Sequence, residues 1–104
     1  MTNRTIRVSI PHRLTTSEAK SRIQSAAANL RSQFAGKLAD VQETWTGDSM
    51  EFRLGVLGQS VSGRVDVTPQ TVDLQIDLPW VFAMFAEKAR GRIEQEGTKL
   101  LEKK

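Results

Sequence analysis

The sequence predicts an α+β fold: one antiparallel sheet of about five strands with two helices packed on one face, in the order β-α-β-β-β-β-α. Three observations carry this. Residues 5–10, 50–56, 61–67 and 72–78 alternate apolar and polar side chains, the period of a half-buried strand. The last three of these runs are joined by short turns, which makes an antiparallel meander. Two other stretches, after Thr15 and after Pro79, place apolar residues at helical spacing. A sheet with one oily face needs a cover, and these two helices are the available one.

The first strand puts Ile6, Val8 and Ile10 on one side and Thr5, Arg7 and Ser9 on the other. Pro11, which has no amide to donate, is expected to end it. Thr15 and Glu18 form a capping box: the Thr15 hydroxyl accepts from an amide three residues on, and Glu18 reaches back. The helix that follows is expected to bury Ala19, Ile23, Ala26, Ala27, Leu30 and Phe34, with Lys20, Arg22, Gln24, Asn29 and Arg31 outside. Gly36 is its natural stop, because glycine tolerates a left-handed backbone.

Residues 39–46 contain Val41 and Trp45 but alternate poorly, so this strand is expected to sit at an edge or carry a bulge. Residues 46–49, Thr-Gly-Asp-Ser, are turn chemistry. Met50, Phe52, Leu54 and Val56 share the next strand's apolar side, and Gly58, Gln59 and Ser60 are read as the following turn. Val61, Gly63, Val65 and Val67 alternate next, then Thr68, Pro69 and Gln70 turn the chain again. Val72, Leu74, Ile76 and Leu78 give the cleanest period of two. Pro79 suits the first turn of a helix. Phe82, Phe85 or Ala86, Ala89, Ile93 and Leu100 form its sheet-facing stripe, whereas Trp80 and Met84 point elsewhere. Gly91 and Gly97 weaken this helix, by about 1 kcal/mol each against alanine.

A chain of 104 residues is expected to be one domain with a modest core. There is no cysteine, which excludes disulfides, thiolate metal sites and a cysteine nucleophile. The net charge of +3 comes from 15 basic and 12 acidic residues, mixed along most of the chain, which reads as a solvated surface. The opening residues lack the apolar core of a secretory signal, and residues 78–86 are too few to span a bilayer. A cytoplasmic location is the expectation.

Candidate chemistry is sparse. His12, the single histidine, precedes a helix and is expected to satisfy loop backbone rather than act as a base. Asp66, Asp73 and Asp77 lie on polar strand faces, where solubilising charge is favoured over metal binding. No phosphate-cradling loop, nucleophile elbow or ligand-spaced cluster is present, so no cofactor, metal or catalytic residue is assigned. Arg4, Arg7, Arg13, Lys20, Arg22 and Arg31 make the first third basic, but no aromatic platform accompanies them, so nucleic acid is disfavoured.

The strongest signal is residues 78–86, Leu-Pro-Trp-Val-Phe-Ala-Met-Phe-Ala, apolar on every side. A helix on a small domain needs one oily face, so a surplus face needs another surface. Trp80, Val81 and Met84 are the expected interaction surface, taken up by a second subunit, a partner protein or an oily body.

Residues 10–14, Ile-Pro-His-Arg-Leu, then Glu18 and Ala19 opening an amphipathic helix, then Trp45, Thr46, Gly47 and Asp48, then Phe52, then residues 63–67 and a closing helix resemble a bacterial family. It is the polyhydroxyalkanoic acid system (granule-region) protein family, and the resemblance covers nearly the whole chain. It implies a non-catalytic accessory protein linked to storage-polyester granules and attaches no catalytic residues. His12, Trp45 and Asp48 match its pattern and form a possible secondary site. The turn after Val56 reads longer than the tight glycine turn the pattern leads one to expect. Two alternatives stand beside this reading: a small-ligand-binding or enzymatic domain with a site near His12 at a subunit interface, and an RNA-binding module.

Overall fold

The alternation fixes the sheet. β1 (Arg4–Pro11), β2 (Leu38–Thr46), β3 (Ser49–Val56), β4 (Gln59–Val67) and β5 (Thr71–Leu78) form one antiparallel sheet in the order β1-β5-β4-β3-β2. The computed structural model describes residues 3–33 and 38–102. Phe34 and Gly36, expected at the end of the first helix, lie outside these, as do Lys103, Lys104 and the burial of Leu30.

Because every pairing is antiparallel, one register sorts the side chains. Val8, Leu74, Val65, Met50 and Trp45 stand opposite one another across all five strands, in one row of the apolar face. Arg7, Gln75, Arg64, Glu51 and Thr44 form the corresponding row on the polar face. The poor alternation of β2 has its expected cause, a register shift between Ala39 and Gln42 on an edge strand. Pro11 ends β1 as expected: it is the last residue of this edge strand, where a missing amide is tolerated, and stands opposite Thr71 of β5.

Two tight turns set the hairpins. Gly47 takes φ +60° between β2 and β3. The β3–β4 turn is only Leu57 and Gly58, at φ +51° and +79°, with Gln59 and Ser60 already in β4. The expected longer loop is therefore a two-residue turn of the mirror-image type. Gly63 also has a structural reason: the Phe52 ring lies over it, and a methyl there would also meet the Gln75 carbonyl oxygen at 2.5 Å.

The first helix, α1 (Thr16–Gln33), begins as the capping box predicts. The Glu18 amide donates to the Thr15 hydroxyl at 3.1 Å. The carboxylate of Glu18 accepts from that same hydroxyl rather than from the backbone. Of its apolar face, Ala19 is fully buried, while Ile23, Ala26 and Ala27 are half-buried.

The closing segment departs from the sequence reading. Trp80–Phe85 is a six-residue 3₁₀ helix, and the α-helix, α2 (Ala86–Leu100), starts after it. This tighter winding decides between the two alternatives for the stripe: Ala86 is buried and Phe85 is exposed. At the far end, Leu101 rather than Leu100 is the buried anchor. α2 packs along β1, with Gly97 directly against the Ile10 side chain.

Burial is graded along the sheet. The rows holding Ile10, Val72 and Val67, and Val8, Val65 and Met50, are buried, and Leu14, Ala19 and Leu101 close them. One row further, Ile6 is still buried while Ile76 and Phe52 are half-buried, and beyond them Leu78, Val61, Leu54 and Val56 are half-buried too.

Candidate functional site

His12 sits where β1 hands over to α1, and both ring nitrogens are committed. Nδ1 accepts the Leu14 amide at 3.1 Å, so Nε2 carries the proton and donates to the Thr68 carbonyl at 2.8 Å. The backbone adds a third tie, His12 N–H to the Gln70 carbonyl at 2.9 Å. The ring thus clamps the β1–α1 joint onto the β4–β5 turn. A base needs a free lone pair facing a substrate, and this one is spent on Leu14.

Asp48 and Trp45 lie at the same end of the sheet as His12. Asp48 approaches it through backbone alone: its carbonyl accepts from the Val67 amide at 2.9 Å, next to the Thr68 that takes the His12 bond. The Trp45 ring lies beneath the Lys20 ammonium, 4.9 Å from its centre, and Lys20 also donates to the Gly47 carbonyl at 2.7 Å. Trp45 Nε1–H donates to Glu43, which faces Arg31. The structure brings the three residues to one end as fasteners between α1, the β2–β3 hairpin and the β4–β5 turn.

Several cations of the basic first third are likewise engaged within the chain. Arg22 donates to the carbonyls of Leu100 and Glu102, satisfying acceptors that the end of α2 leaves open. Arg4 pairs with Glu87 at 2.6 Å. Sequence reading placed Arg22 and Lys20 on a solvated face; both instead reach across to other elements.

The polar sheet face is a charge lattice. Asp66 accepts from Ser49 Oγ at 2.5 Å and from Arg64 Nε at 3.1 Å. The Ser49 hydrogen bond chiefly, with Arg64 adding to it, holds the Asp66 carboxyl below its ordinary range against the opposing effect of desolvation. Asp73, directly opposite Asp66, accepts from Ser9, and Asp77 accepts from Thr5. Two open clefts border β1. One, about 390 Å3, is lined by Arg4, Arg7, Glu87 and Arg90, and the other by Arg7, Arg64, Asp66 and Asp73. Neither reaches His12, Trp45 or Asp48. Among the described residues no group of three metal-ligating side chains occurs.

The exposed large hydrophobics gather elsewhere. Trp80 is 50% exposed, Met84 82% and Phe85 53%, with Val81 half-buried between them. Asn3 Oδ1 caps the segment's start by accepting from the Trp80 amide at 3.1 Å. Leu57, at the tip of the β3–β4 turn, is 84% exposed. Neither Phe85, an alternative for the sheet-facing stripe, nor Leu57 was expected from sequence to be exposed here. The uniform apolarity of residues 78–86 pointed to Phe85 without fixing which way it faces. A leucine beside Gly58 carried no comparable signal.

The molecule is thus a small α+β fold with its histidine clamped by backbone and, among the described residues, three of its four exposed large hydrophobics in the segment that leads into the closing helix. The chain belongs to the family described as "Putative polyhydroxyalkanoic acid system protein", whose model matches residues 6–101. Comparison with curated proteins gives no match. Among solved structures, the chain is similar to TTHA0849 from Thermus thermophilus, at 9% identity over 94% of this chain and 92% of that one, with a TM-score of 0.43. It is also similar to Ara h 8.0201, at 6% identity over 96% and 95% of the two chains, with a TM-score of 0.43. Among the described residues no helix is long and apolar enough to cross a membrane.

Proposed function

We propose that this chain is a non-catalytic accessory protein of a polyhydroxyalkanoate system that attaches to the storage granule through the apolar start of its closing segment, in the cytoplasm. The observation that carries this is the exposure of Trp80 and Met84, with Val81 between them, inside a nine-residue stretch without a charge. An aliphatic polyester presents an oily surface, and apolar side chains leaving water for it gain free energy in proportion to the area removed. The charged turns of α2 that follow keep the rest of the domain in water.

The test is partitioning onto polyester particles, comparing the parent with Trp80→Ser combined with Met84→Ser. Full transfer of one such side chain is worth about 1.5–3 kcal/mol. Allowing for the indole already being half covered, the pair should contribute about 2–4 kcal/mol, a loss of roughly 30-fold or more in the partition coefficient. Equal partitioning by the two proteins, both shown to be folded, refutes the reading. The family match and the granule chemistry in its description support this choice over a reaction at His12, whose ring nitrogens both serve the backbone.

A further inference from the structure

β1 and β2 are the outer strands of the sheet, and only β1 is regular along its length. β2 is interrupted by the register shift between Ala39 and Gln42. The His12 amide donates to the Gln70 carbonyl, which fixes the phase of the β1–β5 ladder. Arg4, Ile6, Val8 and Ile10 therefore bond to β5, while Thr5, Arg7 and Ser9 turn their amides and carbonyls away from it, to the open edge. Among the described residues these outward groups have no hydrogen-bond partner, the condition that lets an edge take on another strand. Both clefts follow this edge. The first is lined by Arg4, Thr5, Ile6 and Arg7 together with Glu87 and Arg90 of α2, and the second by Arg7, Val8 and Ser9 together with Arg90 and Glu94. Glu87, Arg90 and Glu94 are one flank of α2, so open space runs along the strand beside that helix.

We infer that the β1 edge takes a sixth strand: an extended segment of a different protein that carries a carboxylate opposite Arg7. Charge and packing select this occupant. Around the edge Arg4 pairs with Glu87, Arg64 with Asp66 and Arg90 with Glu94, and Asp73 accepts from Ser9. Arg7 lines both clefts, is exposed, and among the described residues has no carboxylate partner. A residue that bonds to the outward groups of Arg7 places its side chain beside the guanidinium, on the polar face, where opposite charges across strands attract. A second copy of this chain does not fit the same slot. α2 packs along β1, with Glu87 beside Arg4 and Gly97 against Ile10. Paired β1 strands would stand about 4.8 Å apart, whereas two packed helices need about 8–10 Å. β1 also carries two arginines and no acid, which guards it against pairing with itself. The inference uses none of Trp80, Val81 and Met84 and stands or falls apart from the granule reading.

The probe is a fluorescent peptide that alternates valine and threonine about a central glutamate, beside a version with a central lysine. Each is titrated with the parent and with Arg7→Glu, an exposed position where the variant should fold. The parent is expected to bind the glutamate peptide about 5-fold more tightly than the lysine peptide, and Arg7→Glu to reverse that order. In the parent, the glutamate peptide should slow hydrogen exchange at the Thr5, Arg7 and Ser9 amides and leave Ile6 and Val8, already bonded to β5, unchanged. No change in anisotropy up to about millimolar peptide overturns the inference. So does protection that misses Thr5, Arg7 and Ser9, or the same peptide preference in both proteins. If light scattering shows a parent dimer that Arg7→Glu dissociates, the occupant is a second copy, and the assignment to a different protein is overturned.

Discussion

Replacing His12 with alanine tests the clamp most directly. The substitution strands two backbone groups at once, the Leu14 amide and the Thr68 carbonyl, at 3.1 and 2.8 Å from the ring nitrogens. Leu14 is buried and His12 is only 9% exposed, so water replaces these bonds poorly. Each group left without a partner costs about 1–3 kcal/mol, and the part-buried Thr68 carbonyl falls at the low end of that range, so His12→Ala should cost about 2–4 kcal/mol. A domain of this size has about 5–15 kcal/mol in hand, so the variant folds, with its melting temperature lowered by roughly 10–25 °C. His12→Asn is the informative control. A side-chain carbonyl at this position can still accept from the amide two residues on, as in an Asx turn, but it does not reach Thr68. It should fall between the two, at about 1–2 kcal/mol. Urea denaturation followed by circular dichroism measures both. Nitrogen-15 spectra should show the neutral ring protonated on Nε2. A His12→Ala variant within about 0.5 kcal/mol of the parent, or a proton on Nδ1, refutes the clamp.

The glycines give a graded series. Gly91 faces open space, so Gly91→Ala should stabilise the domain by about 0.5–1 kcal/mol through helix propensity. In Gly97→Ala the methyl meets the tip of Ile10, whose rotation cancels much of that gain, leaving a change within about 1 kcal/mol of zero. Gly63→Ala drives a methyl into the Phe52 ring and the fixed Gln75 carbonyl, costing about 1–3 kcal/mol. Thermal melts that do not rank Gly91→Ala above Gly97→Ala above Gly63→Ala contradict these contacts. Asp66 gives the pH dependence. Its folded carboxyl titrates below the ordinary value of 3.8, so its stabilising contribution is present above that value and disappears as the pH falls through the lower folded one. Ser49→Ala should move the Asp66 titration upward, read from its carboxyl carbon-13 shift. An unmoved titration means that Arg64 alone sets it.

The strands and their faces were legible because alternation is local: each side chain reports its face relative to its neighbours. The Thr15–Glu18 cap was legible for the same reason. The winding of residues 80–85 was not. Rotation of a helix is read from where its polar residues fall, and this stretch has none. The difference between three and 3.6 residues per turn therefore left Phe85 and Ala86 interchangeable until the structure placed them. Arg22 was misread because its acceptors lie nearly 80 positions away, at the end of α2. His12 was legible in kind, as a loop-satisfying histidine, but its partners Thr68 and Gln70 are set by tertiary structure. Leu57 went unnoticed because turn rules favour asparagine or glycine there, and a leucine shows its oddity only once φ is known.

The two ends of the sheet follow opposite rules, and this makes stability and attachment separable. At the His12 end polar groups find partners across elements: the ring clamps two loops, Lys20 holds the β2–β3 turn, and Arg22 holds the end of α2. The apolar rows there are closed by Leu14, Ala19 and Leu101. At the other end the rows open, through half-buried Leu54, Val56, Val61 and Leu78, beside the exposed Arg4–Glu87 pair. Substitutions should therefore fall into two classes, those that lower the melting temperature and leave the partition coefficient of the folded protein alone, and those that do the reverse. Trp80 is the discriminating case, because it is half covered and its amide is tied to Asn3. If Trp80→Ser destabilises the domain as much as His12→Ala does, the indole is part of the fold, and the surface left for attachment shrinks to Val81 and Met84.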